Sequence, residues 1–120
     1  MQYMLMFFET DEALAKRESP TEAPAYWGAW TAYVKELRGS GAVVNGDGLL
    51  PPHTATRVSF REGKRVVQDG PHPDTKEHLG GYFVIEAKDL DAALAYAAKC
   101  PATLSGHVEI RPVMPPMPRG

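Results

Sequence analysis

The chain has 120 residues, 43% hydrophobic and 23% charged, and its 13 basic and 15 acidic side chains leave a formal charge of −2. That length holds one domain, and the composition is that of a soluble globular chain with no disorder signature. A charge this close to zero gives no electrostatic reason for a nucleic-acid or membrane-surface partner.

Tyr3 to Phe8 is apolar at both alternating positions and predicts a buried strand, stopped by the polar Glu9-Thr10-Asp11-Glu12. It is also the longest apolar run, far below the roughly 20 residues of a membrane helix. Met1-Gln2-Tyr3 lacks the basic region of a secretory signal, so a cytoplasmic location is expected. Residues 9 to 23 read as a polar connection with one helical turn around Ala13 to Lys16. Ser19-Pro20-Thr21-Glu22 has the chemistry of a capping box, but Pro24 has no N–H to bond back one turn, which moves the regular helix to start there. From Pro24 to Arg38, the residues Tyr26, Trp27, Trp30, Tyr33, Val34 and Leu37 recur at three- and four-residue steps, one apolar stripe on a helix. Gly39-Ser40-Gly41 ends it.

Ala42-Val43-Val44 opens a second strand, with Asn45-Gly46-Asp47-Gly48 as a turn or bulge. Thr54 to Phe60 and Arg65 to Gln68 flank Arg61-Glu62-Gly63-Lys64, a hairpin signal. Asp69-Gly70-Pro71-His72 starts a loop expected to run to Gly80. Gly81 to Ala87 is a strand with Tyr82 and Val84 on one face and Phe83 and Ile85 on the other. Asp89 caps a second helix from Leu90 to Lys99, and Cys100-Pro101 ends it. Cys100, the single cysteine, cannot form an internal disulfide, no Cys/His cluster has zinc spacing, and no histidine lies near it to activate a thiolate. His107 to Val113 is the last strand, with Val108 and Ile110 pointing one way and His107, Glu109 and Arg111 the other. One domain over residues 1–113 and a proline-rich tail over 114–120 complete the expected organisation.

This order predicts an α+β fold: a split βαβ sandwich, an antiparallel sheet with two helices on one face. The other face would be bare, yet the first and fifth strands carry apolar side chains on both faces. Leaving large apolar residues wet forgoes about 1.5–3 kcal/mol each. A face-to-face homodimer is the expected remedy.

Asp69-Gly70-Pro71, Thr75 to Tyr82, Ile85 to Ala93 and Val108 to Val113 together resemble the YCII-related family, and more narrowly its branch named for a DGPF motif. Tyr3-Met4-Leu5, Glu36-Leu37-Arg38 and Gly46-Asp47-Gly48-Leu49 fit it too. The resemblance implies a ferredoxin-like dimeric α/β-barrel. Some relatives in the wider family resemble small-ring isomerases and dehalogenating lyases, with a His–Asp acid/base pair whose histidine lies on the first long helix. Pro24 to Arg38 has no histidine, so that pair does not carry over. Branch members often neighbour extracytoplasmic-function sigma factors, which implies a regulatory alternative. The motif's phenylalanine is His72 here.

Acid/base chemistry needs a group that titrates near working pH, and histidine does so unperturbed. His72 and Asp69, three apart, form either a base oriented by a carboxylate or a turn that Asp69 caps with His72 solvated. The functional reading places them by a pocket lined by Trp30 and Tyr82, with Lys76 or Arg57 holding an anionic group and His53 entering from its loop. His78 is expected to be exposed. Gly80-Gly81 reads as a bulge or as a close approach to a ligand. No metal or organic cofactor is implied. The two functional expectations are a small-molecule protein working by lyase- or isomerase-type proton transfer, and a non-catalytic binding module in a sigma-factor circuit.

Overall fold

A computed structural model of the chain describes residues 1–70, 72 and 74–116. Pro71 of the Asp-Gly-Pro-His turn, Pro73, and residues 117–120 of the proline-rich tail lie outside the described set.

Strand β1 (Gln2–Thr10) alternates along its whole length: Tyr3, Leu5, Phe7 and Glu9 are buried, while Met4, Met6, Phe8 and Thr10 are half-buried. Glu9 is therefore not a stop; it continues the buried row. Helix α1 (Asp11–Glu18) follows at once, capped by Thr10, whose Oγ1 accepts from the Ala13 N–H at 3.2 Å. The expected single turn is thus two turns, anchored by buried Ala13 and Leu14. Ser19 ends α1 instead of capping the next helix: its Oγ accepts from Glu22 N–H at 3.4 Å and its carbonyl from Ala23 N–H at 2.8 Å, closing the turn between the two helices, and the N-cap position is Glu22, without a side-chain cap. Helix α2 (Ala23–Gly39) begins there, with Pro24 in the first turn, where no N–H is needed.

Strand β2 (Val43–Gly48) runs through the Asn-Gly-Asp-Gly segment, with its register shift between Val43 and Asn45. Strands β3 (Thr56–Arg61) and β4 (Lys64–Asp69) pair only with each other. Glu62 at φ 52° and Gly63 at φ 76° make the tight turn with two positive φ values that such hairpins require. Strand β5 (Glu77–Glu86) starts four residues earlier than the sequence suggests. Helix α3 (Leu90–Ala97) is capped by Asp89, which accepts from Ala92 N–H at 2.9 Å, and β6 (His107–Pro112) closes the order.

The main sheet is ordered β2-β5-β1-β6 and is antiparallel throughout. Without the β3–β4 hairpin this is the split βαβ arrangement, so the chain has a ferredoxin-like α+β fold. The core lies between this sheet and the helices, with Leu5, Ile85 and Cys100 fully buried and Tyr33, Leu37, Ala93 and Ala97 packing from α2 and α3. The molecule is 18 Å through its thinnest dimension, one sheet and one helical layer. The opposite sheet face carries Met4, Met6, Tyr82 and Val84, aligned by the pairs Met4↔Val84 and Met6↔Tyr82. Between Phe7 and Phe8 the β5 partners jump from Gly81 to Leu79, which leaves Gly80 as a bulge. Among the described residues, no helix is long and apolar enough to cross a membrane.

Candidate functional site

The stripe on α2 divides in two. Tyr33 and Leu37 enter the core, whereas Trp27, Trp30 and Val34 border a cleft of about 790 Å³ between α2 and the sheet. That volume suits a small ligand. The opposite wall is built from Gly46, Gly48, Gly80 and Gly81, and the absence of side chains on the sheet is what leaves the space open. A Cβ at Gly46 would strike the Phe83 ring, and one at Gly81 would come within 2.9 Å of the Asp47 carbonyl. At Gly48 a Cβ would meet nothing within 4 Å.

One carboxylate is buried at the edge of this apolar cleft. Glu9 is 3% exposed and lines the cleft beside Phe7. The Tyr26 hydroxyl donates to its two oxygens at 2.8 and 2.7 Å, and Trp30 Nε1–H donates to Oε1 at 3.3 Å. Both donors come from α2, one turn apart, so the helix that walls the cleft also orients the carboxylate. Burial, and then the Glu9 carboxylate, hold the Tyr26 hydroxyl well above the ordinary phenol range, so it remains a donor. Tyr26 has one proton to share and Trp30 has one, whereas a carboxylate offers about four acceptor sites; Glu9 therefore retains capacity toward the cleft. Phe7 packs edge-on against Trp30 with ring centroids 5.3 Å apart, fixing the indole.

Next to Glu9 stands His78, its partner across the β1–β5 ladder. His78 is buried rather than exposed, and its Nε2 lies 2.8 Å from Asp11 Oδ1. Extending β5 by four residues and α1 by a turn is what brings these two together. Arg17, at the end of α1, lies over the Trp27 ring with Cζ 4.8 Å from its centroid and also lines the cleft.

Among the residues singled out by sequence, Trp30 lines the cleft. Tyr82 is on the other sheet face, its hydroxyl donating to Asp47 Oδ2 at 2.8 Å. Asp69 Oδ1 accepts from Thr56 Oγ1 at 3.0 Å, and His72 Nε2 is buried without a hydrogen-bond partner among the described residues, so the structure does not join this pair. Arg57 donates from Nη2 to Thr75 Oγ1 at 3.2 Å. Lys76 is exposed, as is His53 in the short 3-10 turn Pro52–Thr54. None of these borders the cleft. Sequence reasoning missed Glu9, Tyr26, Arg17 and His78 as a group. The available signal was the unbroken alternation Tyr3, Leu5, Phe7, Glu9. Among the described residues, no three His, Cys, Asp or Glu side chains form a group able to hold a metal ion.

The model of the YCII-related domain matches residues 1–116. The chain belongs to the YCII-related family. It is 36% identical over 69 residues to an uncharacterized protein of Rhizobium meliloti (strain 1021), an alignment covering 54% of each chain. The chain thus spans about half the length of that curated relative. Among solved structures it is similar to 5-chloro-2-hydroxyhydroquinone dehydrochlorinase from Burkholderia phenoliruptrix AC1100, in complex with 2,5-dihydroxybenzoquinone. The TM-score is 0.56 at 15% identity, over 95% of this chain and 94% of that one. At such identity the likeness is one of fold.

Proposed function

We propose that the cleft binds a small planar ligand, aromatic or enolisable, and that Glu9 exchanges a proton with it. The observation that carries this reading is a carboxylate 3% exposed at the edge of a 790 Å³ apolar cleft, held by Tyr26 and Trp30 and still able to accept. A base needs reach to the proton it takes and a fixed orientation, and both donors supply the latter. Glu9 takes the proton from an acidic O–H or from a C–H beside a carbonyl and returns it to the same ligand. His78, oriented by Asp11, is the adjacent titratable group. The bulge at Gly80 and the glycine wall let the ring approach the backbone. This chemistry asks for no cofactor. The fold neighbour's hydroxylated quinone is in keeping with such a ligand.

The proposal includes a homodimer formed through the Met4, Met6, Tyr82 and Val84 face, whose apolar centre is flanked by His107, Glu109, Arg111 and Asp47 in the manner of an interface. A second reading, a non-catalytic module for a protein partner such as a sigma factor, is favoured by the β3–β4 hairpin. Its Val58, Phe60 and Val67 are more than half exposed.

The test is a thermal-shift screen of hydroxylated aromatics, with 2,5-dihydroxybenzoquinone included, on the native chain and on Gly48→Trp, which fills the cleft from a position with free space. A binder raises the native melting temperature and not that of Gly48→Trp. Equal shifts in both proteins would overturn the cleft reading.

A further inference from the structure

We infer that the cleft's ligand is an anion, with a hydroxyl end toward Glu9 and a negatively charged end toward Arg17. This rests on the cleft reading above and names the ligand class. Three cationic side chains border the cleft: Arg17 from the last turn of α1, and Lys35 and Arg38 from the last two turns of α2. A helix C-terminus favours cations by itself, which accounts for the residue type but not for two helices aiming their cations at one space. Among the described residues, Lys35 and Arg38 enter no ion pair.

Arg17 carries the inference furthest. Its side chain is only 12% exposed, and its Nε is buried without a hydrogen-bond partner among the described residues. The nearest carboxylate oxygen, Glu18 Oε1, is 3.7 Å from Nε, too far for a hydrogen bond, and belongs to a side chain 67% exposed. A buried donor left unmade is costly, the more so on a charged group. The contact with the face of Trp27 steadies the cation without using its N–H groups. A guanidinium bordering a cleft is matched by a carboxylate or a comparable planar anion. Glu9, which also borders the cleft, repels a second anionic group but accepts a hydroxyl. These bordering groups together define the class: a planar hydroxy acid, its hydroxyl at Glu9 and its acid group at Arg17.

The experiment is calorimetric titration of the full chain with 4-hydroxybenzoate and with 4-hydroxybenzamide, which share shape and hydroxyl but differ in charge. The benzoate is expected to bind about tenfold or more tightly than the amide at low salt, with the advantage shrinking as salt rises. Arg17→Gln is expected to remove most of that advantage and to leave the amide's affinity in place; Lys35→Gln, at an exposed position, supplies a second charge deletion with a smaller loss. Equal affinity for the two probes overturns the anion assignment and leaves the cleft reading standing. An advantage that survives Arg17→Gln and Lys35→Gln overturns the placement of the charged end at Arg17. Failure of both probes to bind the native chain at millimolar concentration overturns the two readings together.

Discussion

The two faces of the main sheet are built from the same strands and have different fates. On β1, Tyr3, Leu5, Phe7 and Glu9 lie under the helices, while Met4, Met6 and Phe8 look out from the other side. The helical side has its own cover and uses it unevenly. Beneath α3 and half of α2 the cover is complete; beneath the other half of α2 the sheet is glycine, and a cleft opens. The outer side has large apolar groups and no layer of its own. A strand period of two thus assigns residues to faces, but only the sequence elsewhere decides whether a face is sealed, hollowed or left without a layer of its own.

Substitutions that hit one face and spare the other break this contrast most directly. Val84→Asp puts a charge in the centre of the outer face, at a position 7% exposed in the single chain, and the largest expected effect is loss of the proposed self-association together with lower stability of the protomer. Sedimentation showing the same dimer for the variant would refute the sheet-to-sheet packing. Leu5→Ala, fully buried on the helical face, is expected to lower stability by about 2–5 kcal/mol in urea denaturation, independently of any change in association. A loss below about 1 kcal/mol would mean the helical layer seals this face less tightly than Leu5's burial implies.

Tyr26→Phe sharpens the distinction within the helical face, because it removes the proton that both Glu9 oxygens share. The expected cost is about 1–3 kcal/mol, together with weaker binding of hydroxylated probes. A variant of native stability and affinity would show that Trp30 alone suffices to hold the carboxylate. The smallest effect is one of pH. Burial pushes the Cys100 thiol up to about 12 and holds the Tyr26 and Tyr33 hydroxyls above the phenol range. A raised pKa keeps the proton on in the folded state, so the stabilisation is complete below the thiol's ordinary value of about 8.5 and is lost as pH climbs toward about 12. Melting temperature is expected to fall over that window, and Cys100→Ala to flatten the early part of the fall.

Periodicity made most of the fold legible. Alternation in β1 and β5, the stripe on α2, the Asp89 cap and the Glu62-Gly63 turn each follow from a local rule, and each is present. The site was less legible because its parts are assembled from a distance. Glu9 next to Thr10 and Asp11 looks like the polar end of a strand; what buries it are Tyr26 and Trp30, 17 and 21 residues further on. His78 sits in a polar stretch, and its partner Asp11 is 67 residues away in sequence, at the start of α1. The Asp69–His72 spacing was compatible with a pair, but the structure shows Asp69 accepting from Thr56 across the hairpin and gives His72 Nε2 no partner among the described residues.

The hairpin of β3 and β4 interrupts a connection that is already complete without it. β2 and β5 are adjacent, and their ladder extends to Leu49, whose N–H donates to the Gly80 carbonyl at 2.9 Å. The arm between them is, in polymer terms, a long excursion from a closed junction, and doubling or halving such an excursion alters its closure entropy by only about 0.6 kcal/mol. This is the place where evolution or an engineer can lengthen, shorten or replace the chain between Gly48 and Glu77 and leave the cleft under α2 undisturbed.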